Sequence, residues 1–183
     1  MTSQFAIRLA AHHIRNNGII LYPTETVYGL GCDPSSYDAV EKLNTLKQRD
    51  NHSGFLLLAS DLSQLDNYIA TPEPQEIKRI STTETATSWV AKAGKNTPSW
   101  LISPDGTIGF RITTHLVARK LCEHLNHPLI STSANIKGGA PVSNTLQCHQ
   151  LFVGDIDYYL TSSIERTEKP SVIRNLSTGQ QLR

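Results

Sequence analysis

The chain has 183 residues, which is enough for one domain with a sizeable core and no need of disulfides or metals to stabilise it. Its 17 basic and 16 acidic residues give a formal net charge of +1, so the overall charge indicates neither a nucleic-acid nor a membrane partner. The cysteines Cys32, Cys122 and Cys148 are scattered, and their spacing matches neither a disulfide framework nor a zinc site. The amphipathic start lacks the apolar segment of a signal peptide, so we expect a cytoplasmic protein.

Apolar periodicity and turn residues predict an alternation of helices and strands in the first half of the chain. The first helix is predicted to end at Gly18, which takes the C-terminal cap, and the second is predicted to begin at Ser36 and to end at 47–49. The predicted elements are a helix at 3–17, a strand at 19–22, a helix after Ser36, a strand at 55–59, a short helix from Ser60 or Asp61, a helix at 72–80 and a strand at 85–90.

The second half continues the alternation without an internal repeat or a linker. The predicted elements are a strand at 107–112, a helix at 116–125, a strand at 128–130, a helix from 143–145, and strands at 156–161 and 171–176. This order predicts one α/β (α+β) domain over residues 1–183, in which helices flank a twisted mixed β-sheet.

The stretch from Tyr22 to Gly31 follows the first predicted strand and combines a proline, several hydroxyls, the carboxylate of Glu25 and two glycines. Such a composition predicts a buried strand that opens into a polar loop, where binding residues are often found. We expect Glu25 to have a structural or orienting role, because an anion-binding cleft has little use for a free carboxylate unless magnesium or an ammonium group of the ligand lies nearby.

Polar clusters also occur at the ends of other predicted elements: the pair Lys47 and Arg49, the single Arg111, and the run Ser131–Asn135. If these cations, hydroxyls and amides converge on one cleft, they suit a polyphosphate, since arginine and lysine both bind phosphate oxygens. Simpler interpretations remain open. The Lys47 pair can serve the helix dipole, and the serine-rich run can form an ordinary turn.

Other kinds of site lack their motifs in this sequence. There is no His-Glu-x-x-His, no phosphate-binding Gly-x-x-x-x-Gly-Lys-Ser/Thr and no nucleophile elbow, and Gly29 and Gly31 lack the third glycine of a dinucleotide fingerprint. We therefore expect no catalytic metal bound by protein side chains.

Five motifs in order resemble those of the YrdC-like family, which are threonylcarbamoyl-AMP synthases. They are Pro23-Thr24-Glu25-Thr26-Val27-Tyr28-Gly29-Leu30-Gly31, Leu46-Lys47-Gln48-Arg49, Phe110-Arg111-Ile112 before His115, Ser131-Thr132-Ser133-Ala134-Asn135, and Pro170-Ser171-Val172-Ile173. The resemblance extends from about residue 5 to residue 183 and implies the short, single-domain form of the family.

The resemblance implies a nucleotidyltransferase that makes threonylcarbamoyl-adenylate and pyrophosphate from L-threonine, bicarbonate and ATP, usually with Mg²⁺. A transferase complex then modifies the adenosine beside the anticodon of certain tRNAs. By motif, Lys47, Arg49 and Arg111 are the implied catalytic residues. The implied ATP-binding residues are Lys47, Arg49, Thr107, Ser133, Asn135, Ser143 and Arg183, and those implied for threonine are Thr24, Arg111, Ser131 and Ser171.

The chain departs from the family pattern in three places. The stretch from Thr83 to Ser88 replaces Trp-Pro-Gly-Pro-x-Thr and preserves a hydroxyl only at its end, Ser53 stands where relatives often have lysine, and Leu58 stands where some have histidine. Two other functions stay open at this stage. One is a non-catalytic module for double-stranded RNA or ribosome assembly, with weak RNA binding. The other is an adenylating enzyme that acts on a different carbamate.

Overall fold

The computed structural model describes residues 2–25, 27–48, 55–83, 85–136, 139, 142, 145–152, 154–161 and 171–182. Within these ranges, five α-helices and eight strands are formed. The helices are α1 (Gln4–Arg15), α2 (Tyr37–Lys47), α3 (Pro74–Ser81), α4 (Leu116–Leu125) and α5 (Thr145–Leu151). The strands are β1 (Ile20–Pro23), β2 (Tyr28–Gly31), β3 (Leu56–Ala59), β4 (Thr87–Lys92), β5 (Thr107–Ile112), β6 (Leu129–Ser133), β7 (Tyr158–Tyr159) and β8 (Val172–Asn175). Short 3₁₀ helices lie at Leu62–Leu65 and Ser99–Leu101.

The described strands form one mixed sheet in the order β7-β1-β2-β6-β3-β5-β4-β8. The pairs β1–β7, β3–β5 and β4–β8 are parallel, and the other neighbours are antiparallel. This arrangement confirms the predicted α+β fold with a mixed sheet. No helix of the described ranges has the length and apolar character needed to cross a bilayer.

Two separate apolar cores lie on the two faces of the sheet, because neighbouring residues of a strand point to opposite sides. On one face, Leu57 and Phe110 pack in the same core as Val40 and Leu43 of α2. On the other face, Leu58 and Tyr22 belong to a smaller core with α1 and α4. On this second face, Leu56 and Ser131 stay partly exposed, so α1 and α4 cover it only in part.

Several predicted boundaries are confirmed, notably those of β5 and α4. Ser36 caps α2 as predicted, and its hydroxyl accepts a hydrogen bond from the Ala39 amide at 3.2 Å. Asp61 is the cap of the short helix that follows β3. Local capping chemistry and periodicity were sufficient for these elements.

The predicted cap of α1 was wrong in detail. Asn17, with φ of 60°, takes the left-handed conformation instead of Gly18. The Gly18 amide bonds to the His13 carbonyl at 2.8 Å and the Asn17 amide to the Ile14 carbonyl at 3.0 Å, which is a Schellman arrangement. Gly18 is required for space, since a Cβ there would lie 2.7 Å from the His13 oxygen.

The predicted loop after the first strand was too long. Its second half, Tyr28–Gly31, is strand β2, which pairs with β1 in a hairpin and with β6 on its other side. Only residues 24–27 connect the two strands. Glycine has a low intrinsic propensity for strands. The glycines are suitable here because they pack against Tyr22 of β1, as described below.

Candidate active site

The partly covered face of the sheet carries most of the polar residues singled out from the sequence. Strand register aligns Ser131 with Leu56 and Leu56 with Gly109, so these three side-chain positions share one face. All three are partly exposed, whereas Leu58 and Leu129 further along are buried beneath α1 and α4. The open part of this face is the candidate site.

Arg111 lies at one end of this open region and is 8% exposed. Its Nε and Nη2 donate to the Ser88 hydroxyl at 3.1 and 2.7 Å, and Nη2 also donates to the Ser171 hydroxyl. Its Nη1 lies 3.7 Å from Oε2 of Glu25. The structure thus brings together Arg111 and Ser171, two of the residues predicted for threonine.

Glu25 connects the β1–β2 hairpin to the start of α4. Its Oε1 accepts hydrogen bonds from the Thr113 hydroxyl at 2.6 Å and from the amides of Thr114 and His115 at 3.0 and 3.2 Å. Burial by itself raises the pKa of Glu25, but the hydrogen bonds and Arg111 outweigh it and lower the pKa on balance. The carboxylate is therefore charged at neutral pH, and its contacts agree with the orienting role expected for it.

Lys47 lies at the end of α2 and is 7% exposed. Its ammonium donates to the backbone oxygens of Ser133 and Asn135 at 2.5 and 2.8 Å and to Oδ1 of Asn135 at 2.9 Å. The Ser133 hydroxyl donates to the same Oδ1 at 2.7 Å. Three residues predicted for ATP therefore form one cluster at the end of β6.

Two predicted ligand residues use their hydroxyls locally in this structure. The Thr24 hydroxyl donates to the Val27 carbonyl at 2.7 Å, across the hairpin turn. The Thr107 hydroxyl donates to Asp105 at 2.7 Å, in the turn before β5. Thr107 and Arg111 share a face but are separated by about 13 Å along the strand.

Tyr22 is fully buried, and its ring lies against Gly29 and Gly31. A Cβ on Gly31 would come within 2.8 Å of both the Tyr22 ring and the Ile130 carbonyl oxygen, and one on Gly29 would lie 3.2 Å from the ring. Burial also raises the pKa of Tyr22, so that its hydroxyl stays neutral. The two glycines of the motif are therefore required by an aromatic neighbour.

Three predicted ATP residues, Arg49, Ser143 and Arg183, lie outside the described residues, and so does Ser53. Of the other departures from the family pattern, Leu58 is buried against α1 and α4. Ser88, the one hydroxyl kept at the end of the altered stretch, accepts two hydrogen bonds from Arg111. Its link to Arg111 was missed, because the pairing of β4 with β5 cannot be deduced from either strand alone.

Within the described ranges, no group of three His, Cys, Asp or Glu side chains could hold a metal ion. The chemistry available from these residues is anion binding. A guanidinium and an ammonium are fixed by hydrogen bonds near hydroxyls on a partly open surface, and preorganised donors of this kind stabilise developing negative charge.

Curated relatives match over nearly their whole length. The chain is 40% identical to the threonylcarbamoyl-AMP synthase of Nitrosococcus oceani over 97% of this chain and 96% of that protein. It is 37% identical to the protein of the same name from Pseudoalteromonas translucida, over the full length of both.

Solved structures share the fold. A double variant of P. abyssi Sua5 superposes with a TM-score of 0.86 at 26% identity and covers 95% of this chain. P. abyssi Sua5 in complex with L-threonine gives 0.89 at 23% identity over 98% of this chain, and E. coli YciO gives 0.77 at 26% over 94%. The chain spans about half of the length of the Sua5 chains, 54% and 53%, and 84% of YciO.

The Sua5/YciO/YrdC family model, described as "Telomere recombination", matches residues 12–183. This range includes every described strand, the last turn of α1 and the other described helices. The chain belongs to the Sua5/YciO/YrdC family.

Proposed function

We propose that this chain is a threonylcarbamoyl-AMP synthase. It joins L-threonine, bicarbonate and ATP into L-threonylcarbamoyl-adenylate and releases pyrophosphate and water. The product serves a transferase complex that modifies the adenosine beside the anticodon of tRNA. Relatives that carry this name match the chain from end to end.

The observation that carries the proposal is the presence of two buried, hydrogen-bonded cations, Arg111 and Lys47, close to the open part of one sheet face. A reaction between two anions, a carbamate and a triphosphate, needs fixed positive charge at both reactants. No covalent nucleophile is needed.

On the threonine side, Arg111 suits the substrate carboxylate, because a guanidinium can bind both of its oxygens. The hydroxyls of Ser171 and Ser131 and the turn at Thr24 complete this side of the site. A site that hydrogen-bonds the substrate hydroxyl rejects amino acids that lack it more strongly than an apolar pocket rejects an added methylene group. P. abyssi Sua5 has been solved with L-threonine bound, which supports threonine as the amino acid.

On the nucleotide side, we assign ATP binding to Lys47, Ser133 and Asn135, whose hydrogen bonds join them into one cluster. We propose that Arg49, Thr107, Ser143 and Arg183 complete it. Magnesium accompanies ATP in this proposal and would neutralise part of the negative charge of the phosphates.

In the adenylation step, a carbamate oxygen of carboxylated threonine forms a bond to the α-phosphorus of ATP. The bond from the α-phosphorus to the bridging oxygen breaks, and pyrophosphate leaves with the electron pair. Lys47 and Arg49 stabilise the charge that develops on the phosphates, while Arg111 holds the amino acid in place. The residues act by positioning and electrostatics.

The test is a pyrophosphate-release assay from which each substrate is left out in turn. We expect turnover only when threonine, bicarbonate and ATP are all present. Turnover without bicarbonate, or equal rates with serine or alanine in place of threonine, would contradict the assignment.

A thermal-shift comparison then separates this enzyme from an RNA-binding module. We expect ATP with threonine to raise the melting temperature and duplex RNA to leave it unchanged. Stabilisation by duplex RNA alone, with a steep dependence on salt, would favour the non-catalytic alternative.

A further inference from the structure

Glu25 is held firmly from outside the sheet. One carboxylate oxygen, Oε1, accepts three hydrogen bonds from consecutive residues between β5 and α4, two of them from backbone amides. Two of these donors are backbone amides, whose positions are set by the path of the chain between β5 and α4. The position of the carboxylate is therefore set independently of Arg111.

The other carboxylate oxygen faces the Arg111 guanidinium, with Oε2 3.7 Å from Nη1. The two side chains are 11% and 10% exposed. Ser88 and Ser171 accept hydrogen bonds from Nε and Nη2, and Glu25 lies at the remaining nitrogen, Nη1. Together the three side chains fix the plane of the guanidinium, and with it the direction in which Arg111 presents its charge to a carboxylate.

The charge of Glu25 and its position are expected to have opposite effects on threonine binding. A negative charge beside Arg111 repels the carboxylate of L-threonine, so electrostatics at this group predicts that removing the charge tightens threonine binding. If the carboxylate chiefly orients the guanidinium, its removal weakens threonine binding instead. The two explanations predict KM changes of opposite sign.

We propose that Glu25 is a positioning residue that orients the Arg111 guanidinium for the carboxylate of L-threonine and thereby sets the KM for threonine. The inference rests on the proposed function, since it assigns threonine to Arg111. Glu25 acts through Arg111 and does not contact the reacting atoms.

The experiment compares E25Q with T113V in the full chain, by steady-state pyrophosphate release and by thermal unfolding. Glutamine keeps an oxygen for Thr113 and the two amides, but it places an NH₂ group or an uncharged oxygen before Arg111. T113V removes one hydrogen bond from the anchored oxygen and leaves the charge facing Arg111 intact. Thr113 is 2% exposed, so both variants change a buried contact of the same carboxylate.

We expect E25Q to raise the KM for threonine about tenfold, with kcat and the KM for ATP changed by less than about threefold. T113V is expected to lower the melting temperature while its KM for threonine stays within about twofold of the parent. An E25Q KM that is unchanged or lowered overturns the proposal.

If E25Q does not fold, E25D decides the question. Aspartate keeps the charge but is one methylene too short to reach both Thr113 and Arg111, so a raised KM supports positioning and an unchanged KM overturns it. An inactive parent protein contradicts the proposed function itself. If the parent is active and the Glu25 variants have the same KM for threonine as the parent, only the role of Glu25 is contradicted.

Discussion

Lys47 and Arg111 are both buried cations of the candidate site, yet different kinds of atoms hold them. Lys47 donates to three oxygens within one short turn, two of which belong to the backbone. Arg111 is held only by side chains among its described contacts, and these come from β4, from the start of β8 and from the β1–β2 turn. The Lys47 centre therefore depends on one turn, whereas the Arg111 centre depends on three distant segments.

The largest expected effect comes from R111A, which removes the cation and leaves Glu25 without it. We expect kcat/KM for threonine-dependent pyrophosphate release to fall about 10³-fold. R119A is the matched control, because Arg119 pairs with Glu123 at the surface, at 2.9 Å with side chains 56% and 48% exposed. Similar losses in both variants would argue against a specific role of Arg111.

The next largest effect is expected from K47M, which keeps the apolar stem of the side chain and removes its charge. We expect kcat to fall about 10²-fold, as for the loss of one preorganised electrostatic donor. K42M provides the control, since Lys42 lies on the same helix with an exposed side chain. A parental rate in K47M would remove Lys47 from the site.

A smaller effect is expected from S88A, which tests whether the Arg111 centre depends on distant side chains. The variant leaves Nε and Nη2 of Arg111 without the hydroxyl that accepts from both. We expect the KM for threonine to rise about tenfold, because Arg111 loses the hydroxyl that accepts two of its hydrogen bonds. T87V is the control, because Thr87 is buried on the same strand and points to the opposite face. Equal KM values in the two variants would contradict the prediction.

The smallest expected effect is that of acid on stability, and it tests the Arg111 centre, which contains the carboxylate of Glu25. The pKa of Glu25 is lower in the folded than in the unfolded chain. Its contribution to stability is therefore complete above the unfolded pKa, about 4.3, and is lost as pH falls through the folded pKa.

Urea unfolding between pH 7 and pH 3 measures this contribution. We expect the difference in unfolding free energy between the parent and E25Q to shrink as pH falls, and K47M to keep the acid dependence of the parent. A difference that stays constant with pH would show that Glu25 is not responsible for it.

The sequence was sufficient to predict those elements whose structure depends on neighbouring residues. Ser36, Asp61 and the alternation of β5 could be interpreted from neighbouring residues alone, and their predicted elements agree with the structure. In the cluster around Lys47, the link between Ser133 and Asn135 is local, because both belong to one motif. The contacts of Lys47 with this motif are distant in the chain.

Prediction was incomplete where the relevant contacts are distant in the chain. The Ser88 hydroxyl meets Arg111 only through the register of β4 and β5, and Glu25 meets Thr113 only because the hairpin reaches the start of α4. Strand β2 was taken for a loop, since the ring that makes its glycines suitable belongs to β1. The site assignments of Arg49, Ser143 and Arg183 stay predictions.

The packing of Tyr22 against Gly29 and Gly31 couples three positions of the hairpin by size. Alanine at position 31 would force the tyrosine ring or the Ile130 carbonyl to move, whereas leucine at position 22 would leave a gap beside the glycines. Each change alone is unfavourable, and together they compensate in part. The two glycines of this motif are thus required by the large aromatic ring on the neighbouring strand. The effect of a substitution at any of the three positions on stability therefore depends on the residues at the other two.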